Sequence, residues 1–408
     1  MKIIKVEAAV VKAHKDDTYW GLKAWGEDYG ERPSVGASLD VAYPLRWRMR
    51  HRWVPSVDTC LIRLTTDEGL VGFGESKGVI VPELVKTYID GYLAEAILGE
   101  DPFAHRVLWD RMYSWMRGRG HIQGFHQEAA AGLDIAMWDI AGKATGRPIC
   151  DLLGGRYRSN VRVYFSALAG VQDASDDAQS DRLAADTRDA VARGFTGAKI
   201  GIGFGHDADL HSVDVVRDAA GPDFLVLVDA LGSYDYTQAL RLTQPLADRG
   251  VGWFEAPLVP EDIDGYVNLS LRSSITIAND LAWTTALFKE ILSRGGRIAV
   301  QPEVIKVGIT ECARIAELAD IFGCSYAPHV SIGSAIQFAA SVHIAAASPN
   351  FLISEYWAGE NPLGDAILRE PLGFEMGGLL VPDHPGLGIE LDLGRLREHA
   401  VAGWATEA

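Results

Sequence analysis

Short runs in which apolar and polar residues alternate with period two trade places with longer runs of period near 3.6, so strands and helices alternate along most of the chain. Lys2 to Val11 reads as a strand, and Asp58 to Thr65 as a second, β-rich one. The latter meets a turn at Asp67-Glu68-Gly69, and Leu70 to Glu75 completes a hairpin. Helical patterning covers Pro82 to Ile97, Ala104 to Met116 and Gln127 to Lys143; in the last, Leu133, Ala136, Met137 and Ile140 share a face. Pro148 to Arg156, with its Leu-Leu-Gly-Gly, punctuates a boundary. Eight β-rich runs then follow: Val161 to Ala167, Gly197 to Ile202, Phe224 to Asp229, Trp253 to Pro257, Ile275 to Asp280, Ile298 to Pro302, Ser325 to His329 and Phe351 to Tyr356. Helical stretches such as Asp181 to Arg193, Tyr236 to Asp248 and Glu311 to Phe322 separate them. Strands alternating with helices give an α/β fold with a parallel sheet, most simply a closed (β/α) barrel. The rival is an open doubly wound sheet, which loses support because no GxGxxG opens a helix after the first strand. Gly201-Ile202-Gly203-Phe204-Gly205 is glycine-rich, but it lacks the Lys-Ser/Thr of a phosphate loop.

Composition narrows the functional classes. The 408 residues carry 38 Lys and Arg against 55 Asp and Glu, a net charge of −17. A strongly acidic chain is a poor partner for nucleic acid, because neutralising phosphates requires basic surface. The apolar runs are short, so no membrane-spanning helix is expected. Cys60, Cys150, Cys312 and Cys324 show no CxxC spacing and read as reduced thiols of a cytoplasmic protein. The lysine-bearing start lacks the apolar core of a secretory signal. Between the first two strands lies an irregular segment, residues 16–55, rich in Trp, Tyr, Gly and Arg. Loops this long in a compact domain are functional or disordered, and the aromatic content argues against disorder.

The most informative feature is a ladder of ionisable residues, one at the C-terminal end of each run from the second to the eighth: Lys199, Asp229, Glu255, Asp280, Glu303, His329 and Glu355. The gaps are 30, 26, 25, 23, 26 and 26 residues, one strand–helix unit per step. In a (β/α) barrel these ends converge on one mouth, where active sites sit. An isolated carboxylate is most simply a surface group or a loop cap; seven ionisable residues in phase are hard to explain that way. Asp229, Glu255 and Asp280 end three consecutive strands. Two unit charges about 4 Å apart repel by roughly 4 kcal/mol at an effective dielectric near 20, so protons, a lysine or a metal must relieve them. All-oxygen ligation suits Mg²⁺, with Mn²⁺ possible, whereas zinc more usually recruits His or Cys. Lys199 and His329 flank this position from opposite sides. Glu303, one strand before His329, makes a carboxylate–histidine pair in which the carboxylate orients the ring and raises its basicity.

At these residues the sequence resembles the enolase superfamily, and most closely its mandelate racemase subgroup. The resemblance covers nearly the whole chain. It rests on Leu61 to Glu75, Ala131 to Asp139, Leu152-Leu153-Gly154-Gly155, Gly197-Ala198-Lys199-Ile200-Gly201, Val228-Asp229, Trp253-Phe254-Glu255-Ala256-Pro257, Gln301-Pro302-Glu303, Pro328-His329, Glu355 and Pro385 to Ile389. It implies an α+β capping domain on a modified (β/α)₇β TIM-type barrel. The cap spans residues 1–155 with lid loops at about 16–55, the barrel 156–365, and a C-terminal segment, 366–408, returns to the cap. It implies Mg²⁺ bound by Asp229, Glu255 and Asp280, and chemistry that begins by abstracting the proton α to a substrate carboxylate. A homo-oligomer is the expected state.

Three departures bear on the reaction. The subgroup commonly has Lys-x-Lys on the second barrel strand; here the first lysine is Lys199 and the second position is Gly201. The histidine's partner is commonly Asp and here is Glu303, one methylene longer. The third metal ligand is commonly Glu and here is Asp280. Proton transfer between two faces of one carbon needs two bases, so Gly201 disfavours racemisation. One base suffices for β-elimination, with His329 taking the α-proton and then protonating the departing hydroxyl. The expected activity is therefore dehydration of a sugar acid to a 2-keto-3-deoxy acid. A cycloisomerase or epimerase acting on a sugar acid or its lactone is the alternative, and a catalytically silent metal- or ligand-binding relative the reading of another class. Arg46, Arg48 and Arg50, with Arg52, place four arginines in seven residues. They suit bidentate capture of a carboxylate, or form a solvated or subunit-contacting segment. Trp20, Trp25, Tyr29 and Tyr43 are expected in the same lid. His206, after the second barrel strand, is a candidate substrate contact, as are His121 and His126 before the barrel.

Overall fold

The computed structural model describes residues 1–15, 56–78 and 80–407. Strands β1 (Ile3–His14), β2 (Ser56–Thr66) and β3 (Val71–Ser76) form an antiparallel meander. The helix Phe125–Thr145 packs on it and is buried on every side from His126 to Gly142. Its length and burial follow from its position between two cores. Leu133, Ala136, Met137 and Ile140 join Cys60, Ile62 and Leu64 in the core under the meander, while Ile135 and Trp138 join the barrel's core. Glycine sets the spacing: a Cβ at Gly74 would lie 1.9 Å from the Gly132 carbonyl oxygen, so the helix lies directly on β3. The helical run expected over Pro82 to Ile97 is one continuous element, with a π-helical turn at Ile89–Leu93 between Pro82–Tyr88 and Ala94–Ile97.

The second unit is the closed α/β barrel. Strands β4 (Asn160–Ala169), β5 (Gly197–Gly201), β6 (Leu225–Asp229), β7 (Val251–Glu255), β8 (Thr276–Asn279) and β9 (Ile298–Val300) pair in parallel, each with the next. β10 (Ser354–Trp357) returns to pair with β4. Between β9 and β10 the expected strand Ser325–His329 makes single bridges, Val300 with Tyr326, Glu303 with His329 and Tyr326 with Phe351, and these close the ring. The final segment does two jobs. The hairpin β11 (Phe374–Glu375) and β12 (Gly378–Leu380) extends the barrel sheet beside β4, and β13 (Ala400–Gly403) then pairs with β1. Asp139 of the long helix anchors this return by accepting the Leu387 N–H at 2.9 Å. Among the described residues, no helix is long and apolar enough to cross a membrane.

Candidate active site

Side chains along a strand alternate in direction, so residues two apart point the same way. Inside the barrel that rule builds two layers. Tyr164, Leu227, Trp253, Ala278, Ala299, Ala327 and Ile353 form a closed apolar cluster. Two positions further along each chain stand Ser166, Asp229, Glu255, Asp280, Gln301, His329 and Glu355, all buried. An apolar floor thus lies beneath a polar layer, and Lys199 completes that layer, its Nζ 5.7 Å from the centre of the Tyr164 ring. Backbone strain marks the same end. Leu231 and Ala256, just beyond Asp229 and Glu255, have φ of 46° and 41°. Non-glycine residues persist there at about 1–3 kcal/mol each only when their surroundings fix them.

Lys199 is the hub of one half of the layer. Its Nζ lies 2.6 Å from Glu255 Oε1, 3.0 Å from Glu355 Oε1 and 3.4 Å from Asp229 Oδ2. Burial alone would favour the neutral amine, but these carboxylates outweigh it and hold the pKa well above the ordinary lysine value. Gln301 Nε2 donates to Glu255 Oε2 at 2.8 Å. Even so, burial pushes the Glu255 carboxyl well up, and Asp229, Asp280 and Glu355 push in the same direction. Glu355 is fixed from three sides: Ser166 Oγ donates to Oε1, Val330 N–H donates to Oε2 at 2.9 Å, and His329 Nε2 stands 3.4 Å from Oε2.

His329 forms the other half. Its Nδ1 is 3.2 Å from Glu303 Oε2, and its Nε2 is 3.5 Å from Asp280 Oδ2. Glu303 stands one step above Gln301, at the start of the helix Val304–Ile321. Its Oε1 accepts from Lys77 Nζ at 2.6 Å, Gln337 Nε2 at 2.9 Å and Ser331 Oγ. Its Oε2 faces Lys306 Nζ at 2.9 Å. Burial would raise the Glu303 carboxyl, but Lys306, Lys77 and His329 together outweigh it and hold it well below the usual carboxylate range. It is therefore a fixed anion beside the imidazole.

The layer fits a divalent cation. Among the described residues, Glu255, Asp280 and His329 offer ligand atoms that all lie within 4.8 Å of one another. Asp280 Oδ1 is buried with no hydrogen-bond partner among the described residues. Asp229, expected as the third ligand, is not in that group: its Oδ2 faces Lys199 Nζ at 3.4 Å instead, and His329 stands in its place. Four buried carboxylates facing one ammonium and one imidazole leave negative charge that a cation would neutralise.

All seven ladder residues thus meet at one end of the barrel. His206 stands apart, its ring 5.7 Å from that of Tyr234 and its Nε2 buried without a partner among the described residues. His121 and His126 lie 6.1 Å apart, and His126 stacks on Tyr113. Trp20, Arg46, Arg48 and Arg50, with the whole expected lid 16–55, lie outside the described residues. The glycine-rich segment after β5 takes its anion from the chain itself, because Asp209 accepts the N–H groups of Gly203 and Phe204. Sequence reading missed Lys77, Gln301, Lys306, Ser331 and Gln337. Two of them carried a signal: Lys306 is three residues from Glu303 at a helix start, and Gln301 shares the strand's inward phase.

Comparison with known proteins identifies the family. Residues 182–395 match the model described as enolase C-terminal domain-like, and residues 44–154 match the N-terminal domain of the mandelate racemase/muconate lactonizing enzyme family. The chain belongs to the enolase superfamily. A D-galactarolactone cycloisomerase of Agrobacterium fabrum is 36% identical over 83% of this chain and 90% of its own length. An arabinonate dehydratase of Saccharolobus solfataricus is 32% identical over 82% and 89%. Among solved structures, a member of the enolase superfamily from Agrobacterium tumefaciens superposes with a TM-score of 0.85 at 27% identity, covering 98% of this chain and 99% of that one. The fold is accordingly that of the superfamily, a capping α+β unit on a TIM-type barrel.

Proposed function

We propose that the enzyme abstracts the proton α to the carboxylate of a sugar acid and then eliminates the β-substituent, with His329 as the one base. The observation that carries this reading is the histidine–carboxylate pair at the polar layer, one such pair among the described residues, with Gly201 on the lysine-bearing strand β5. In this mechanism Asp229, Glu255 and Asp280 hold Mg²⁺, or Mn²⁺. The cation supplies positive charge to meet that developing on the substrate carboxylate. Lys199 donates to the same carboxylate, and Glu355 keeps Lys199 and His329 in place. Glu303 orients the imidazole so that Nε2 faces the α-carbon. The C–H electron pair moves into the enediolate, and His329 carries the proton as imidazolium. Collapse of the enediolate forms the Cα–Cβ double bond and expels the β-hydroxyl, which takes the proton from His329 and leaves as water. The enol then tautomerises to a 2-keto-3-deoxy acid.

A second reading shares the first half. If the β-oxygen belongs to a ring, the same elimination opens the ring and no water is lost. The similarity to a D-galactarolactone cycloisomerase favours this branch. Substrate capture we assign to the lid residues Trp20, Arg46, Arg48 and Arg50 and to His206, which suit a polyhydroxy acid.

The test is a stereochemical library of mono- and diacid sugars and their lactones, incubated with the Mg²⁺-loaded protein. A keto acid lighter than its substrate by one water identifies the dehydratase. A keto acid of unchanged mass identifies the cycloisomerase. A product differing only in configuration at the α-carbon refutes the one-base reading.

A further inference from the structure

We infer that Lys77 is a positioning residue, through which the cap fixes the Glu303 carboxylate and thereby the ring of His329. This rests on the reading of His329 as the base.

Glu303 has one more side-chain torsion than the Asp expected at this place, so its carboxylate has more ways to turn from the histidine. Lys306, three residues on, already pairs with Oε2 at 2.9 Å and satisfies the charge. A second ammonium nevertheless arrives from 226 residues away, with Lys77 Nζ 2.6 Å from Oε1. With Gln337 and Ser331 it fills Oε1 and leaves Oε2 toward His329 Nδ1. Gln337 and Ser331 are neutral donors to Oε1, whereas Lys77 sets a charge-assisted contact there that balances Lys306 on Oε2, so the carboxylate is held by an ammonium at each oxygen.

The segment carrying Lys77 is built to hold it there. The Lys77 N–H donates to Ile305 O at 3.1 Å, across the seam in the barrel helix. The Gly78 N–H donates to the buried Glu128 Oε2 at 3.0 Å. Gly78 and Ile80 have φ of 55° and 75°, and a β-branched residue in that region is an outlier tolerated only where the surroundings demand it. Gln337 is tied to the same strand end, because its backbone N–H donates to Glu75 at 3.1 Å. Two of the three groups on Oε1 thus depend on how the end of β3 docks against the barrel.

The test compares Lys77→Met and Lys77→Arg with the wild type. ¹⁵N-histidine labelling reports the His329 Nδ1–H resonance in the Mg²⁺-loaded, substrate-free protein, with His329→Gln giving the assignment. Turnover of the substrate found in the library gives kcat and KM. Lys77→Met is expected to shift or broaden the Nδ1–H resonance and to lower kcat at least tenfold with KM within twofold. Lys77→Arg, which keeps the ammonium's charge and fold, is expected to recover most of both. An unchanged signal and kcat in Lys77→Met would overturn the inference, leaving Lys306, Gln337 and Ser331 sufficient. A raised KM with kcat intact would also overturn it, placing Lys77 on the substrate. The resonance needs no substrate, so it decides the role of Lys77 even if His329→Gln retains α-proton exchange and the base assignment falls.

Discussion

Asp134 offers a sharp test of how cap and barrel are joined. It lies fully buried in the helix Phe125–Thr145 and accepts from Thr310 N–H at 2.9 Å and Thr310 Oγ1 at 2.6 Å. Thr310 belongs to the helix that starts beside Glu303, just past a break at Gly308 (φ 80°), where a Cβ would lie 2.7 Å from Asp134 Oδ2. Burial pushes the Asp134 carboxyl up to about 7, more than its hydrogen bonds lower it. In the unfolded chain the same group titrates near the ordinary Asp value of about 3.9. The folded state therefore keeps the proton to higher pH. This group's contribution to stability is complete below about pH 4 and is lost as pH rises through 7. From pH 5 to pH 8 the loss amounts to about 3 kcal/mol at about 1.4 kcal/mol per pKa unit. Asp134→Asn cannot titrate and loses only part of one hydrogen bond, about 1 kcal/mol. Urea unfolding at pH 5, 6, 7 and 8, followed by tryptophan fluorescence, compares the two proteins. Trp138, whose indole N–H donates to Thr310 Oγ1 at 2.9 Å, places a reporter in the seam. The stability difference should move by about 3 kcal/mol in favour of the variant across that range. Parallel pH profiles would refute the reasoning.

Further outcomes follow from the same contacts. Asp280→Asn should weaken Mg²⁺ binding at least tenfold by calorimetry, since it removes charge from a carboxylate with a buried oxygen that has no hydrogen-bond partner among the described residues; equal affinity would remove Asp280 from the ligand set. Glu75 accepts Ser334 N–H at 2.8 Å, Ser334 Oγ at 2.6 Å, Thr59 Oγ1 at 2.8 Å and Gln337 N–H at 3.1 Å. Glu75→Gln turns an amide N–H toward at least one backbone donor and should cost about 2 kcal/mol, read as a lowered urea midpoint. Burial raises the thiols of Cys60 and Cys312, so neither should react with a thiol reagent at pH 8 before the chain unfolds.

Much of this was legible because strand and barrel periodicities are local. After β4, which contributes Ser166, the inward phase of each barrel strand leads to one ionisable group, and the spacing of strand–helix units then brings Lys199 to Glu355 around one mouth. The seventh strand was legible although it makes only bridges, because Tyr326, Ala327 and His329 keep the alternation. Other features carry no periodic signal. Lys77 follows a strand end and reads as a surface lysine, and nothing local says it folds back onto a carboxylate 226 residues away. Gln337 lies in an apolar helix, and its role depends on Glu75 docking across the seam. The departure at Glu303 was visible, but the donors that hold the longer arm come from the cap, from Lys306 and from the segment after His329. The face that the helix Phe125–Thr145 turns to the cap was readable; its burial on the other side follows only from tertiary packing.

The central claim is that His329 removes an α-proton. The measurement that tests it most directly is deuterium uptake at the α-carbon, followed by NMR in D₂O with Mg²⁺-loaded protein and the sugar acid that gives product. Wild type should incorporate solvent deuterium or release product, and His329→Ala should do neither at a Mg²⁺ concentration shown by calorimetry to saturate the variant. Exchange retained in His329→Ala would contradict the mechanism and move the proton transfer to another group, Lys199 first.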